Sequence, residues 1–541
     1  MLQNIIIENF KPFGEGSPVR LAPITLIYGP NSSGKSSLIQ SLLLLRQTLT
    51  EQGPRVKNDL VTSGSFTNLG SFLSLLHRHD PKLVLKLGFN FTPFPNIRPR
   101  NYYQNKNKNI DPFLGISLSF TANSFALEEV LPVLQKIEYK LIGEENNEIH
   151  FTLERMSSDK TGTFREKFDG STEDDIEELT TLPSNRNKRT SARQNDFILG
   201  SDSNFTGLHL ALKYFPNRHF LFSRYPERNE RRIRSSQENK EKIQALKECH
   251  FRPMGLGPYG REYLPSWPTD YNQEHFSESI GSMTEVLVNF EARFRQTIGS
   301  LTYLGPLRTH PERLYAIHGL PEGSVGSQGE QAVQILYHDF VGASQNQSLI
   351  DKLNIYCEKF EIPYHFTVES IRNAITGDFV ILSLTDRRTG VKVAPTDVGF
   401  GIGQILPILI EGMVAGDQGR YPRIVCVEQP EIHLHPRLQA AMADFFIDTA
   451  YLDKSHSSQE RSRKRGVQWI LETHSETLIL RIQRRIREGR ISAKDVSVLY
   501  VDPRDELGSV IEEIRIDDDG EFIDIWPDGF FAESFNELFG S

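Results

Sequence analysis

Eight consecutive residues near the amino terminus have the types and spacing of a phosphate-binding loop. Gly29, Gly34, Lys35 and Ser36 match the pattern G-x-x-x-x-G-K-S, directly after an apolar run. Glycines let backbone N–H groups converge on phosphate oxygens, and the amino terminus of the next helix adds partial positive charge. Lys35 is expected to reach the β- and γ-phosphates of a nucleotide, and the Ser36 hydroxyl is expected to bind Mg²⁺. The residues predicted to contact the nucleotide here are Gly29, Pro30, Asn31, Ser32, Ser33, Gly34, Lys35, Ser36 and Ser37.

A carboxylate that holds the metal is expected at the end of a neighbouring buried strand, and Glu428 has that position. It follows an apolar run and precedes Gln429 and Glu431. His433 and His435 lie close by, so a zinc site is an alternative interpretation of this segment. Imidazoles two residues apart point in different directions on a helix, and no third ligand is nearby. The sequence therefore favours a magnesium ligand at Glu428.

A histidine lies just beyond another apolar run. His474 follows residues 468–471, and the carboxyl ends of parallel strands meet at one rim of a sheet, so His474 is expected near Lys35 and Glu428. We interpret His474 as a sensor of the γ-phosphate. The alternative is a surface histidine that caps the following helix.

The composition excludes several classes of protein. The chain has 541 residues, of which 38% are hydrophobic and 24% charged, with a formal net charge of -9. It is too apolar for a disordered chain and too polar for a membrane bundle, and no apolar run approaches the roughly 20 residues of a membrane span. Three dispersed cysteines give no disulfide framework, which fits a reducing cytoplasm. The acidic balance argues against a protein whose whole surface wraps nucleic acid.

The elements that must position these residues predict an α/β fold with a bipartite core. An amino-terminal lobe over residues 1–90 contains the phosphate-binding loop, and a carboxy-terminal lobe over 301–541 contains Glu428 and His474. Short apolar runs separated by helical segments are typical of strands buried on both faces of a parallel sheet. In the carboxy-terminal lobe these runs are 379–384, 424–427, 468–471 and 496–501.

Residues 91–300 are predicted to form an inserted α+β region. Short alternating runs indicate an antiparallel meander, and polar stretches at 101–109 and 157–193 indicate loops. Apolar residues recur at three- and four-residue steps from Ile280 to Ile298, which predicts an amphipathic helix.

Four segments together resemble an ABC-type ATPase of the SMC, RecF and OLD group. They are residues 9–13, the phosphate-binding loop, 428–436 and 473–475. More narrowly, 303–308 (Tyr-Leu-Gly-Pro-Leu-Arg) and 526–531 (Trp-Pro-Asp-Gly-Phe-Phe) resemble stand-alone OLD-like ATPases of the AAA-15 type, found in prokaryotic antiphage systems such as Septu and retron-associated ones. The resemblance implies a P-loop ATPase head that binds ATP and Mg²⁺ in the cytoplasm and regulates a separate effector nuclease, of the HNH type in some systems.

In this group a glycine-rich signature of one subunit closes over the ATP of another. The stretch from Asp397 to Gln404 resembles that signature, although relatives often carry serine where Gly403 stands. By this resemblance, Gly399, Gly401, Gly403 and Gln404 contact the partner's nucleotide through the amino terminus of a helix. Each chain holds one copy of each half-site, so the resemblance implies a homodimer or higher homo-oligomer.

The sequence departs from the ABC pattern after Glu428. A metal-binding Asp and then a catalytic Glu are usual, whereas this chain has Glu428 and then Gln429. A carboxamide orients water but does not accept its proton, and losing a general base typically costs about 10² to 10⁴ in rate. Hydrolysis is therefore expected to be slow, unless Glu431 substitutes as the base.

Three functions are compatible with these residues. The first is the regulatory ATPase subunit of an antiphage complex, and the second is a RecF-like repair ATPase that binds DNA directly. The third is a scaffold that binds ATP without hydrolysis. Basic stretches at 461–465 and 481–490 are either solvated surface or contacts to DNA or RNA. The acidic run Asp517–Asp519 with Gly520 is predicted to be a hairpin turn rather than the metal site of a nuclease.

Overall fold

The computed structural model describes residues 1–50, 60–91, 113–123, 130–142, 148–155, 163–170, 197–198, 294–317, 319–321, 323–342, 348–372, 377–417, 422–452, 464–504 and 508–527. The chain divides into two compact units. The first contains Met1, Val19–Leu43 and Ser300–Ser541, and the second contains Leu2–Pro18 and Leu44–Gly299. Residues 44–90, which the sequence assigns to the lobe of the phosphate-binding loop, thus fold with the second unit.

In the carboxy-terminal part of the chain, strands and helices alternate, as they do in α/β proteins. The strands are β1 (Leu2–Glu8), β2 (Pro18–Arg20), β3 (Ile24–Tyr28), β4 (Leu85–Phe91), β5 (Phe113–Asn123), β6 (Leu131–Ile142), β7 (Glu148–Arg155), β8 (Thr163–Gly170), β9 (Phe197–Ile198), β10 (Thr302–Leu304), β11 (Tyr315–Ala316), β12 (Tyr364–Ile371), β13 (Phe379–Asp386), β14 (Lys392–Val393), β15 (Arg423–Glu428), β16 (Tyr451–Leu452), β17 (Lys464–Arg465), β18 (Val467–Glu472), β19 (Val496–Arg504) and β20 (Gly508–Glu513). The helices are α1 (Lys35–Thr50), α2 (Phe72–Leu75), α3 (Ala332–Gly342), α4 (Leu349–Lys359), α5 (Phe400–Asp417), α6 (Pro436–Ala450) and α7 (Glu476–Arg487).

A six-stranded sheet in the first unit positions the predicted site residues. Its spatial order is β10-β15-β18-β3-β19-β20, and every neighbouring pair is parallel except β19 and β20. All residues of β3 and β18 are buried, as are all of β15 except Arg423. This burial confirms the predicted parallel strands at 424–427, 468–471 and 496–501.

The helix α6 packs its apolar face onto this sheet. The rings of Phe445 and Phe446 lie 6.1 Å and 4.8 Å from that of Trp469 on β18. The Trp469 indole N–H donates to the Thr449 hydroxyl at 3.0 Å, so its polar atom is satisfied inside the core. Pro436 begins the helix, where its missing N–H costs nothing.

The prediction of a parallel strand at 379–384 is wrong. These residues belong to β13, which pairs antiparallel with β11, β12 and β14 in a separate small sheet. Val380, Leu382 and Leu384 are buried, whereas the residues between them are half-buried. Among the described residues, α3 and α4 cover one face of this sheet, and the strand alternates instead of being buried throughout.

The second unit contains the predicted meander. Strands β4 to β8 pair antiparallel in sequence order, and β1 pairs with β4 at one side. The loop predicted at 157–193 is wrong for Thr163–Gly170, which forms β8. Backbone pairing with β7 satisfies the N–H and C=O groups of that polar segment, which its composition does not reveal.

Several predictions fall on residues outside the described ranges. They concern the polar stretch 101–109, the remainder of 157–193 and the helix from Ile280 as far as residue 293. Residues 294–299 are helical, and Phe294 and Ile298 are buried in the second unit, as the periodicity predicts. No helix in the described part of the chain combines the length and apolarity needed to cross a bilayer.

Candidate functional site

The phosphate-binding loop runs from the end of β3 to the start of α1 in a conformation that requires its glycines. Gly29 and Gly34 have φ of 143° and 106°, and Ser32 also has a positive φ, of 63°. A Cβ atom on Gly29 would lie 2.4 Å from the carbonyl oxygen of Val501. The Ser37 N–H donates to the Gly34 carbonyl at 2.9 Å and begins the helix. The sequence pattern is thus matched by the strand, loop and helix that it predicts.

Lys35 lies over the loop that precedes it. Its ammonium group donates to the carbonyl oxygens of Gly29 at 3.0 Å and Pro30 at 2.8 Å. The residue is 4% exposed, and burial lowers the pKa of Lys35 despite the opposing charge of Glu472. The ammonium is therefore held at the inner side of the loop, where a phosphate chain would pass.

Two glutamates end neighbouring strands beside this lysine. Glu428 on β15 and Glu472 on β18 are register partners of a parallel pair, so their side chains leave the same face of the sheet. Burial, followed by the charge of Glu472, raises the pKa of Glu428 to about 7. Burial also raises the pKa of Glu472, against the hydrogen bond from Ser36 and the charge of Lys35.

Tyr303 and Glu472 are site residues that the sequence interpretation missed. The Tyr303 hydroxyl on β10 donates to Glu428 Oε1 at 3.0 Å, and burial raises the pKa of Tyr303. Glu472 contacts Ser36, which the sequence assigns to the metal. The sequence pattern does indicate Glu472 as a candidate, because this residue ends an apolar run and directly precedes Thr473 and His474.

Glu431 holds the segment that carries His474. Its carboxylate accepts hydrogen bonds from the Thr473 hydroxyl and from the His474 N–H, both at 2.7 Å. A role for Glu431 as the base would require these bonds to break. Burial, followed by the charge of Lys35, lowers the pKa of the half-buried His474, which favours the neutral imidazole at pH 7. The helix cap is Ser475, whose hydroxyl accepts from the Leu478 N–H, so the alternative interpretation of His474 as a cap is wrong.

The turn after Glu428 is held in an unusual backbone conformation. Gln429 and His433 have φ of 48° and 59°, which few non-glycine residues adopt. The Gln429 N–H donates to the Glu472 carbonyl at 2.7 Å, which ties the turn to β18. His435 caps α6 by accepting from the Arg437 N–H at 3.3 Å, a role that does not require zinc.

Arg308 joins the predicted signature helix to the end of β15. Its guanidinium donates to the carbonyls of Glu428 at 2.9 Å and Gln429 at 3.4 Å, and to Gln404 Oε1 at 3.4 Å. The side chain is buried, and burial lowers its pKa to about 10. Arg308 lies in the Tyr-Leu-Gly-Pro-Leu-Arg segment on which the resemblance depends, but no role was predicted for it.

The predicted signature residues surround the start of α5. Gly399 is exposed, with no atom within 4 Å of where its Cβ would be. A Cβ on Gly401 would lie 3.2 Å from the His433 carbonyl, and one on Gly403 would lie 2.8 Å from the ring of Pro311. Gln404 is buried against Arg308, so within one chain the open part of this motif is its amino-terminal end. Contact of these four residues with a partner's nucleotide stays a prediction.

The arginines of α7 are paired within the chain. The pairs are Arg481 and Arg485 with Asp444, Arg484 with Glu488, and Arg487 with Glu521. Ile482 and Ile486 are buried on the other side of the helix. This arrangement favours the interpretation of 481–490 as an ion-paired surface over a nucleic-acid contact.

The acidic run near the carboxyl terminus forms the predicted turn. Gly520 donates its N–H to the Asp517 carbonyl at 3.1 Å, and Ile516 pairs antiparallel with Phe522. Within the described ranges, no group of three or more His, Cys, Asp or Glu side chains is arranged to hold a metal ion.

Two family models match the sequence. One, described as AAA ATPase domain, matches residues 1–252 and 307–479, which include the phosphate-binding loop, Glu428 and His474. The other, described as a protein of unknown function (DUF3696), matches residues 491–539, from just before β19. A search of curated proteins found no match.

Among solved structures, the chain is similar to SMC head domains. The SMC head bound to the C-winged helix domain of ScpA is 8% identical, with a TM-score of 0.36 over 95% of this chain and 98% of that chain. The SMC head domain from Thermotoga maritima is 9% identical, with a TM-score of 0.35 over 95% of this chain and 99% of that chain. The AAA ATPase domain model, in contrast, spans more than half of the sequence.

Proposed function

The chain belongs to the AAA-15 family of ATPase domains, and from this premise we propose that it binds ATP with Mg²⁺ at residues 29–37 and hydrolyses it slowly. The α/β fold of a P-loop ATPase head, predicted from the sequence, is confirmed by the family and by the parallel sheet. The observation that carries the proposal is the position of Lys35 and Ser36 beside Glu428 and Glu472 at one end of that sheet.

The loop fits a triphosphate. Gly29 leaves room for a close approach of the backbone, and Pro30, Asn31 and Ser32 are exposed at the crest of the loop. In the described part of the chain, the buried Ser33 hydroxyl has no hydrogen-bond partner. Successive N–H groups at the start of α1, together with the Lys35 ammonium, supply the positive charge that phosphates require.

The carboxylates fit a divalent cation. Two buried glutamates end neighbouring strands here: the charge of Lys35 acts on Glu472, and the charge of Glu472 contributes to the raised pKa of Glu428. Ser36 and Glu428 would hold Mg²⁺ together with phosphate oxygens, since hard oxygen ligands suit this ion. Mg²⁺, when bound, would neutralise the negative charge that develops on the phosphates during transfer.

Three other side chains would bind the phosphates or orient the attacking water. Lys35 would leave the loop carbonyls and bind the phosphates, and His474, neutral at pH 7, would donate a hydrogen bond to the γ-phosphate. Gln429 follows Glu428 at the position where attacking water is expected, and its carboxamide orients that water without accepting the proton. Slow turnover would keep the ATP-bound state populated for a long time and suits a switch.

The complete site is proposed to need two chains. The exposed Gly399 directly precedes an 18-residue helix, and helix amino termini favour anions. A homodimer, or a higher homo-oligomer, would bring Gly399 and Gly401 of one chain to the γ-phosphate held by the other.

As its cellular role, we propose the regulatory ATPase subunit of an antiphage complex with a separate effector nuclease. Support comes from the resemblance of residues 303–308 and 526–531 to ATPases of such systems, and from the membership of the AAA-15 family. The alternative, a RecF-like repair ATPase, requires a basic surface for DNA. The arginines of α7 do not offer one, because each is paired with a carboxylate.

The test of nucleotide binding uses the full chain with Mg²⁺ and ATP in isothermal titration calorimetry. Lys35→Ala should abolish binding, whereas Lys359→Ala, which removes a surface lysine paired with Asp448, should leave it unchanged. A Lys35→Ala variant with wild-type affinity would contradict the assignment of the loop.

The test of assembly is light scattering with and without ATP. The wild type should dimerise with ATP, and Gly399→Asp should bind ATP but stay monomeric, because it adds negative charge where the partner's phosphate is expected. Dimerisation of Gly399→Asp with wild-type affinity would reject the proposed interface. Salt-dependent DNA binding by the purified chain would favour the repair alternative.

A further inference from the structure

Glu472 occupies a position that the resemblance assigns to no role. It ends β18, and the strand order places β18 between β3, which leads into the phosphate-binding loop, and β15, which ends at Glu428. Neighbouring strands lie about 4.8 Å apart. Glu472 is therefore one strand from the loop, and Glu428 is two strands away.

The contacts of Glu472 follow from this order. The Ser36 side chain and the charge of Lys35 both favour the ionised form of its carboxylate, so both groups lie beside it. Glu428 instead accepts from Tyr303 and lies close to the charge of Arg308. Of the two buried carboxylates, Glu472 is thus the one in contact with the hydroxyl that is expected to bind the metal.

One oxygen of Glu472 remains available for a ligand. The residue is 5% exposed, and Glu472 Oε2 has no hydrogen-bond partner among the residues that the structure describes. A buried carboxylate oxygen without a partner is costly in a folded protein, and such groups call for a ligand or an ion. This observation is independent of the register that brings Glu428 and Glu472 together.

We propose that Glu472, with Ser36, is the principal protein carboxylate at the divalent cation, and that Glu428 is the second. The inference rests on the proposed ATP site. In this arrangement the metal would be bound mainly from the end of β18, the strand that leads to His474. Glu428, bonded to Tyr303 and next to Gln429, would then lie on the side of the attacking water.

The experiment measures Mn²⁺ binding by electron paramagnetic resonance in the presence of the non-hydrolysable analogue AMPPNP. Glu472→Gln should weaken Mn²⁺ binding at least about tenfold, and Glu428→Gln should weaken it less. Glu411→Gln serves as the matched control, because Glu411 is also fully buried with one carboxylate oxygen unpartnered, yet it lies on α5 and bonds to Ser324. Its Mn²⁺ affinity should equal that of the wild type.

A second measurement separates loss of metal from damage to the loop. AMPPNP binding in EDTA should be within about twofold of the wild type in Glu472→Gln, since the loop and Lys35 are unchanged. If Glu472→Gln does not fold, Glu472→Asp is measured in its place, because it keeps the negative charge on a side chain that is one methylene shorter. It should also weaken Mn²⁺ binding.

The outcomes distinguish the two levels of the proposal. A wild-type chain that binds neither AMPPNP nor Mn²⁺ would overturn the proposed function. A wild type that binds both, together with a folded Glu472 variant of unchanged Mn²⁺ affinity, would overturn the inference alone. A loss in Glu428→Gln that exceeds the loss in Glu472→Gln would overturn it as well.

Discussion

Replacing Glu428 by Gln should stabilise the nucleotide-free protein, and more so as the pH rises. The folded-state pKa of Glu428 is about 7, against an ordinary value of 4.5, because burial and the charge of Glu472 disfavour its ionised form. Between these values the folded chain binds more protons than the unfolded chain. The stability that protonated Glu428 contributes is therefore complete below about pH 4.5 and is lost as the pH rises through about 7.

The size of the effect follows from the same interval. At 1.36 kcal/mol per pH unit, the difference between 4.5 and about 7 corresponds to about 3 kcal/mol. The carboxamide of Glu428→Gln keeps an oxygen for Tyr303 and never ionises. The variant should thus match the wild type near pH 4 and exceed its free energy of unfolding by as much as about 3 kcal/mol at pH 8.

The assay is urea unfolding in EDTA without nucleotide, followed by tryptophan fluorescence. Trp469 and Trp526 are buried in the first unit and report on it. In a Glu472→Gln background the gain at pH 8 should shrink but persist, because burial, the larger cause, remains. A difference between Glu428→Gln and wild type that stays constant from pH 5 to pH 8 would refute the reasoning.

Three further substitutions test the catalytic and structural roles. Gln429→Glu supplies a general base and should raise the ATPase rate by about 10² or more, whereas an unchanged rate of phosphate release would show that Gln429 is not at the water. Gly29→Ala places a Cβ against the Val501 carbonyl at a φ of 143°, so it should lose about 2–4 kcal/mol of stability in urea unfolding and most ATP affinity in calorimetry. Arg308→Met leaves the carbonyls of Glu428 and Gln429 without their donor, so kcat should fall by a larger factor than KM changes. Arg308→Lys should recover part of the lost kcat. A change in KM with an unchanged kcat would contradict a positioning role.

Much of the fold is predicted by the local pattern of apolar residues in the sequence. The run before Gly29, the leucine-rich helix after Lys35 and the apolar runs at 424–427, 468–471 and 496–501 all form the predicted elements. The run at 379–384 was misjudged, because a short apolar run does not show whether one face or both faces of its strand will be covered. The polar strand β8 was missed because its pairing with β7, not its own side chains, accounts for it.

The phosphate-binding loop can be recognised from local sequence alone, because glycine, lysine and serine at that spacing are a local requirement for holding a phosphate chain. The sequence also identifies Glu428 and His474 as polar residues at the ends of buried strands. The folded chain is needed to see that Ser36 lies beside Glu472 and that Arg308 joins Gln404 to the end of β15. Those contacts join residues far apart in the chain, and they depend on the order of strands in the parallel sheet, which no local spacing encodes.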